Sequence, residues 1–246
     1  MDNIVFASVG MTVGKSLKVN SEGYHYVRLG SFNVWNSSGE YYPLTPLVKD
    51  ILSASSDFIS TIREGKLYGE LEHPEYKAGM TAQDFIRRNL LVKGDNLSHH
   101  FKSITLAPTG KQDRVTGDKV YDVHGWVLPF GPHKQQLLDS LSSDSINTAF
   151  SLRCLYKPVS INGKVHRDLK VIITYDFVTK NGVAGADKFA VGSESEVSFT
   201  VQEVQEAVDD LKVIQEQVGT ESNINVELLN KIGDICDGTR CVLNWK

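Results

Sequence analysis

The sequence predicts an α+β protein with a mostly β middle, helices inserted between strands, and a helical tail. Three observations carry this. Tyr24 to Trp35 alternates, with Tyr24, Tyr26 and Arg28 on one face and His25, Val27 and Leu29 on the other, the period of a half-buried strand. Two apolar stretches, Thr148 to Val159 and Lys164 to Val178, flank the turn Ile161-Asn162-Gly163 and read as paired strands. From Ser198 onward the pattern changes, and Val201, Val204, Val208, Leu211 and Ile214 fall at helical spacing among acidic residues.

The remaining elements follow in order. Ile4 to Val9 is a short apolar strand leading into Gly10-Met11-Thr12-Val13-Gly14-Lys15-Ser16, which imitates a phosphate-binding loop. That loop needs four residues between its glycines, and here Gly10 is one residue too close to Gly14. Val171 to Asp176 adds the look of a magnesium-holding strand, so a nucleotide hydrolase stays as a minor alternative. Asn36-Ser37-Ser38-Gly39 turns the chain into a hairpin, and Thr45 then caps a helix with Pro46 at its first position. Leu47, Val48, Ile51, Leu52, Phe58, Ile59 and Ile62 predict that this one helix runs to Gly65. Met80 to Leu91 fits helix or strand. Ser103 to Pro108 and Val120 to Pro129 are strands joined by the polar turn Gly110 to Gly117, Gly131 to Leu141 is a short helix, and Asn225 to Ile235 is a smaller amphipathic repeat of the tail. The expected division is 1–190 for the main domain and 191–246 for a helical segment packed on it.

With 246 residues, 41% hydrophobic and 23% charged, the chain is an ordinary globular one with a sizeable core. A net charge of -4 with a pI near 6.0, and no long Lys/Arg run, argues against nucleic acid as a partner. No apolar run approaches a membrane span and the first residues lack a basic leader, so the expectation is a soluble protein made in a cytosol, with no membrane partner. Cys154, Cys236 and Cys241 have no metal-ligand spacing and read as reduced structural thiols; no metal or cofactor is expected.

The chemistry centres on Gly69-Glu70-Leu71-Glu72-His73-Pro74. Pro74 pushes His73 onto extended backbone, a good mount for a group whose ordinary pKa of about 6.5 suits a general base. A base needs a nucleophile. Ser151 lies in Ala149-Phe150-Ser151-Leu152-Arg153-Cys154, where a strand puts Ser151 and Arg153 on one face and Phe150, Leu152 and Cys154 on the other. Asp176, an acid in an otherwise apolar strand, needs a partner and is the first candidate to orient the imidazole.

In this order, Gly-Glu-Leu-Glu-His-Pro, then Ser-x-Arg on a strand, then Thr-Tyr-Asp-Phe-Val on the next, the chain from about Asn33 to Asp187 resembles the prohead maturation proteases of tailed bacteriophages, relatives of herpesvirus assemblin. The family pattern has Asp at Glu72 and Gly at Cys154. The resemblance implies a herpesvirus-protease-like fold, a mostly antiparallel β-barrel core surrounded by helices. It implies a serine endopeptidase with Ser151 as nucleophile, His73 as base and Asp176 as third member. Glu72, His99, His100 and His124 are the alternatives for that third place. Backbone amides around Arg153, with its side chain and the flanking Leu152 and Cys154, would support the oxyanion and substrate. Implied substrates are capsid, scaffold and internal head proteins inside the prohead in the host cytoplasm, cut after glutamate, with Arg87, Arg88 and Arg114 as candidates for a basic subsite. Gly192-Ser193-Glu194 fits a self-processing site, and self-association is expected. A non-catalytic head-assembly protein with the same fold is the alternative.

Overall fold

The computed structural model describes residues 17–179, 195–199, 201–218 and 241–245. In chain order the elements are β1 (His25–Phe32), β2 (Val34–Trp35), β3 (Tyr41–Tyr42), α1 (Pro46–Ile51), α2 (Asp57–Arg63), β4 (Tyr68–Glu70), α3 (Ala82–Leu90), β5 (Leu97–Gln112), β6 (Lys119–Pro129), α4 (Lys134–Ser142), β7 (Ala149–Ile161), β8 (Lys164–Val178), β9 (Ser195–Phe199), α5 (Val201–Val218) and β10 (Cys241–Trp245). The imitation phosphate loop, the processing sequence, Cys236 and the stretch from Asn225 to Ile235 lie outside the described residues.

The strands form two sheets, β1-β6-β5-β4 and β2-β3-β8-β7-β10-β9. All ladders are antiparallel except the single β3–β8 pair. The α+β expectation therefore holds, but the expected closed barrel does not form among the described residues. The reason is local. The chain crosses from the first sheet to the second at Asn33, which has a left-handed φ of 60°, and the opposite seam is one isolated bridge, Leu71 to Phe177. Just past that bridge Glu72 turns left-handed at φ 57°, and Pro74 offers no N–H, so pairing ends.

The β7–β8 hairpin is as the sequence implies: Asn162 and Gly163 both have positive φ, the requirement of a two-residue turn that matches strand twist. The single helix expected from Thr45 to Gly65 is two. Ser56 accepts the Ile59 amide and starts a second helix, because Ser53 to Ser56 offers side-chain oxygens that compete with the helical ladder. Met80 to Leu91 resolves as helix, capped by Thr81, with Phe85, Ile86, Asn89 and Leu90 on its buried face. The tail is helical in α5, but β9 and β10 are strands: β10 pairs with β9 on one side and with Cys154 to Tyr156 of β7 on the other. Alternating apolar positions of both sheets, among them Val27, Leu29, Phe101, Val123, Val127, Phe150, Tyr156 and Ile172, close over one core.

Candidate active site

Gly69 opens the hexapeptide on β4, and the fold admits nothing larger there. A Cβ would stand 2.3 Å from two atoms of the His99 ring and from the Tyr175 carbonyl oxygen. That close approach seats the strand end beside β8, where Leu71 bridges to Phe177 and the Glu72 amide donates to the Phe177 carbonyl at 2.7 Å. The left-handed turn at Glu72 then aims His73 back at the sheet, and His73 and Pro74 are both buried. The Glu72 carboxylate accepts the Thr179 amide at 2.8 Å, which ties the turn to the end of β8.

His73 Nδ1 lies 2.6 Å from Asp176 Oδ2, with both side chains excluded from solvent. Asp176 also accepts two bonds from Arg153, Nε to Oδ2 and Nη2 to Oδ1, each 2.8 Å, and one from the Glu70 amide at 3.0 Å. Burial alone would raise this carboxyl. The Arg153 charge and the hydrogen bonds from His73 and Arg153 outweigh it and hold the group well below the usual carboxylate range. An ionised carboxylate only accepts, so His73 Nδ1 carries the proton and Nε2 is left as the acceptor. Nε2 is buried without a hydrogen-bond partner among the described residues. Asp176 is thereby ruled out as the magnesium-holding end of a nucleotide site, since guanidinium, imidazole and amide already take its oxygens.

Ser151 is the direct cross-strand partner of Asp176 in the β7–β8 ladder. Opposed residues of an antiparallel pair share a face with their Cβ atoms about 5 Å apart, so the hydroxyl lies on the face that carries the Asp176–His73 pair. Ser151 is half-buried, reachable from outside where Asp176 is not.

Arg153 shares that face, and its side chain is engaged within the protein. It is fully buried, and its donors go to Asp176, to the Leu91 carbonyl at 3.0 Å, to the Asn89 carbonyl at 3.4 Å, and toward Glu70 at 3.5 Å. Burial opposes its charge, yet Asp176 and Glu70 together hold the guanidinium more basic than usual. Cys154 is likewise buried in the core, outside any disulfide, and Leu152 packs against that core. Their side chains follow the strand alternation toward the core, Cys154 fully buried and Leu152 partly so.

Glu70 had only been part of a motif. It is fully buried, takes a forked pair from Arg88 of α3, the Lys93 amide at 2.7 Å and the Asn96 side-chain amide at 2.9 Å. The available signal was a carboxylate between Gly69 and Leu71 on an apolar strand, which requires a cation. Arg88 pairs with Glu70, Arg87 pairs with Asp84 and with Asp210 of α5, and Arg114 is exposed in the β5–β6 turn.

The histidine alternatives are also placed. His99 is fully buried, donating from Nε2 to the Tyr175 carbonyl at 3.0 Å while Nδ1 takes the Ser98 hydroxyl at 2.8 Å. His100 bonds Tyr24 and His124 stacks on Tyr26.

A carboxylate-anchored imidazole with its second nitrogen open, on the sheet face of a reachable serine, has the chemistry of a serine hydrolase. The chain belongs to the Peptidase S80 family, whose model matches residues 2–232, and so to the serine peptidases. It is similar to a capsid maturation protease of Pseudomonas phage phiKZ, 26% identical over 175 residues. That match covers 69% of this chain and 62% of the phage protein, so the chain aligns with somewhat under two thirds of its relative's length. No solved structure matches the chain.

Proposed function

We propose that the chain is a maturation protease of a tailed-phage prohead, with Ser151 as nucleophile, His73 as general base and Asp176 as the orienting acid. The observation that carries this is the 2.6 Å contact of His73 Nδ1 with Asp176, opposite Ser151 in the ladder, with Nε2 left to accept a proton. Ser151 Oγ attacks the scissile carbonyl as its proton passes to His73 Nε2, and the imidazolium, held by Asp176, returns that proton to the leaving amine. Water then repeats the sequence on the acyl-enzyme. Backbone amides around Arg153 serve as oxyanion donors; the described β7–β10 ladder starts only at Cys154, just beyond them. One such donor is typically worth about 10²- to 10³-fold in turnover.

The substrates in this reading are capsid, scaffold and internal head proteins cut after glutamate within the prohead, and the fold class is herpesvirus-protease-like, with self-association. The family and the phage relative support its serine-peptidase and capsid-maturation parts. No helix among the described residues is long and apolar enough to cross a membrane. The test is a peptide with a small-x-Glu sequence incubated with wild type and with Ser151→Ala. Cleavage after Glu by wild type alone is expected; equal cleavage by Ser151→Ala would overturn the assignment.

A further inference from the structure

Through Asp176, His73 joins a linked cluster of four further charges drawn from four elements: Glu70 on β4, Arg153 on β7 and Asp176 on β8, all buried, and the partly exposed Arg88 on α3. His99 of β5 is close to Asp176 but uncharged, and Glu72 turns to the Thr179 amide. Two carboxylates and two guanidiniums cancel while the imidazole is neutral. Arg153 is shared unequally, at 2.8 Å to Asp176 and 3.5 Å to Glu70. Arg88 is what keeps it so, because its forked pair with Glu70 leaves that carboxylate little need of Arg153.

We propose that Glu70 and Arg88 are positioning residues that keep this cluster in charge balance, so that His73 stands neutral and ready to accept the serine proton. The inference rests on the Ser151–His73–Asp176 reading. Without Arg88 the cluster carries a net negative charge, which protonating His73 would cancel. Without the Glu70 charge it is net positive, which opposes protonation. Loss of a cation from the cluster favours the charged imidazole and loss of an anion disfavours it, by about one pH unit per uncompensated charge.

The experiment is the pH profile of kcat/KM on the small-x-Glu peptide for Arg88→Gln, Glu70→Gln, the double variant and Arg88→Lys, with Ser151→Ala as control. The acid limb is expected to move up by about one pH unit in Arg88→Gln and down by a similar amount in Glu70→Gln. It should return to the wild-type position in the double variant and stay there in Arg88→Lys, which keeps the charge. Shifts in one direction, or none, would overturn the proposal even if turnover falls, since a purely structural role lowers kcat without moving the limb in opposite senses. Should Glu70→Gln fail to fold, Arg88→Gln against Arg88→Lys decides alone. Activity surviving in Ser151→Ala would instead defeat the triad reading.

Discussion

His99 makes the fold acid-sensitive, because burial holds its ring neutral. Its ring is fully buried, edge-on to Phe101 at 4.7 Å and to Phe150 at 5.3 Å, with both nitrogens engaged in the neutral tautomer. Burial, only partly offset by Asp176, pushes its pKa from 6.5 down to about 4. Between those values the unfolded chain binds a proton that the folded chain refuses, so stability is complete above pH 6.5 and is lost as pH falls toward 4. At pH 4.5 the loss amounts to roughly 2–3 kcal/mol. Asp176 acts with the same sign but lower down: its depressed pKa contributes stability that is lost only as pH falls below the ordinary carboxylate range. Urea unfolding of wild type and His99→Gln at pH 7 and pH 4.5 isolates the term, because the other carboxylates titrate alike in both proteins. Wild type is expected to lose roughly 2–3 kcal/mol more than the variant over that interval. Equal losses would refute the reasoning that His99 is held neutral in the fold.

Gly69→Ala forces a methyl into the His99 ring and the Tyr175 carbonyl, neither of which has room to move, and is expected to cost about 3 kcal/mol. An unchanged melting temperature would show that β4 does not seat as described. Asp176→Asn keeps the shape but offers His73 the wrong tautomer and strips Arg153 of its partner. A fall of about 10⁴-fold in kcat is expected, with a stability loss of about 3–5 kcal/mol, measured by peptide cleavage and by chemical denaturation; near-full activity would remove Asp176 from its role.

The mount of His73 was legible because Pro74 restricts its backbone locally, whereas the reason for Gly69 lies in contacts with the distant His99 and Tyr175. Gly69 is dictated by close approach, the left-handed turn at Glu72 by the need to redirect the chain, and Pro74 by the end of pairing. The strand alternation around Ser151 and the isolated acid at Asp176 were legible for the same reason, since period and polarity are properties of short segments. The direction in which Arg153 spends its charge was not. Its partners Glu70, Asn89 and Leu91 lie more than 60 residues upstream, and a strand pattern assigns a face without saying what covers it. The break between α1 and α2 was written in Ser53-Ala54-Ser55-Ser56, where apolar spacing and capping chemistry disagree and the cap at Ser56 wins. β10 was missed because five residues of strand are defined by the edge they join, here β7 and β9, more than by their own composition.

The central claim is that Ser151 is a nucleophile activated by His73. Its most direct test is labelling with a serine-directed fluorophosphonate, followed by peptide mapping of the adduct. The account predicts a single modified site at Ser151 in wild type, labelled far more slowly in His73→Ala and Asp176→Asn. Labelling of another serine, or labelling of Ser151 at an undiminished rate without His73, would contradict it.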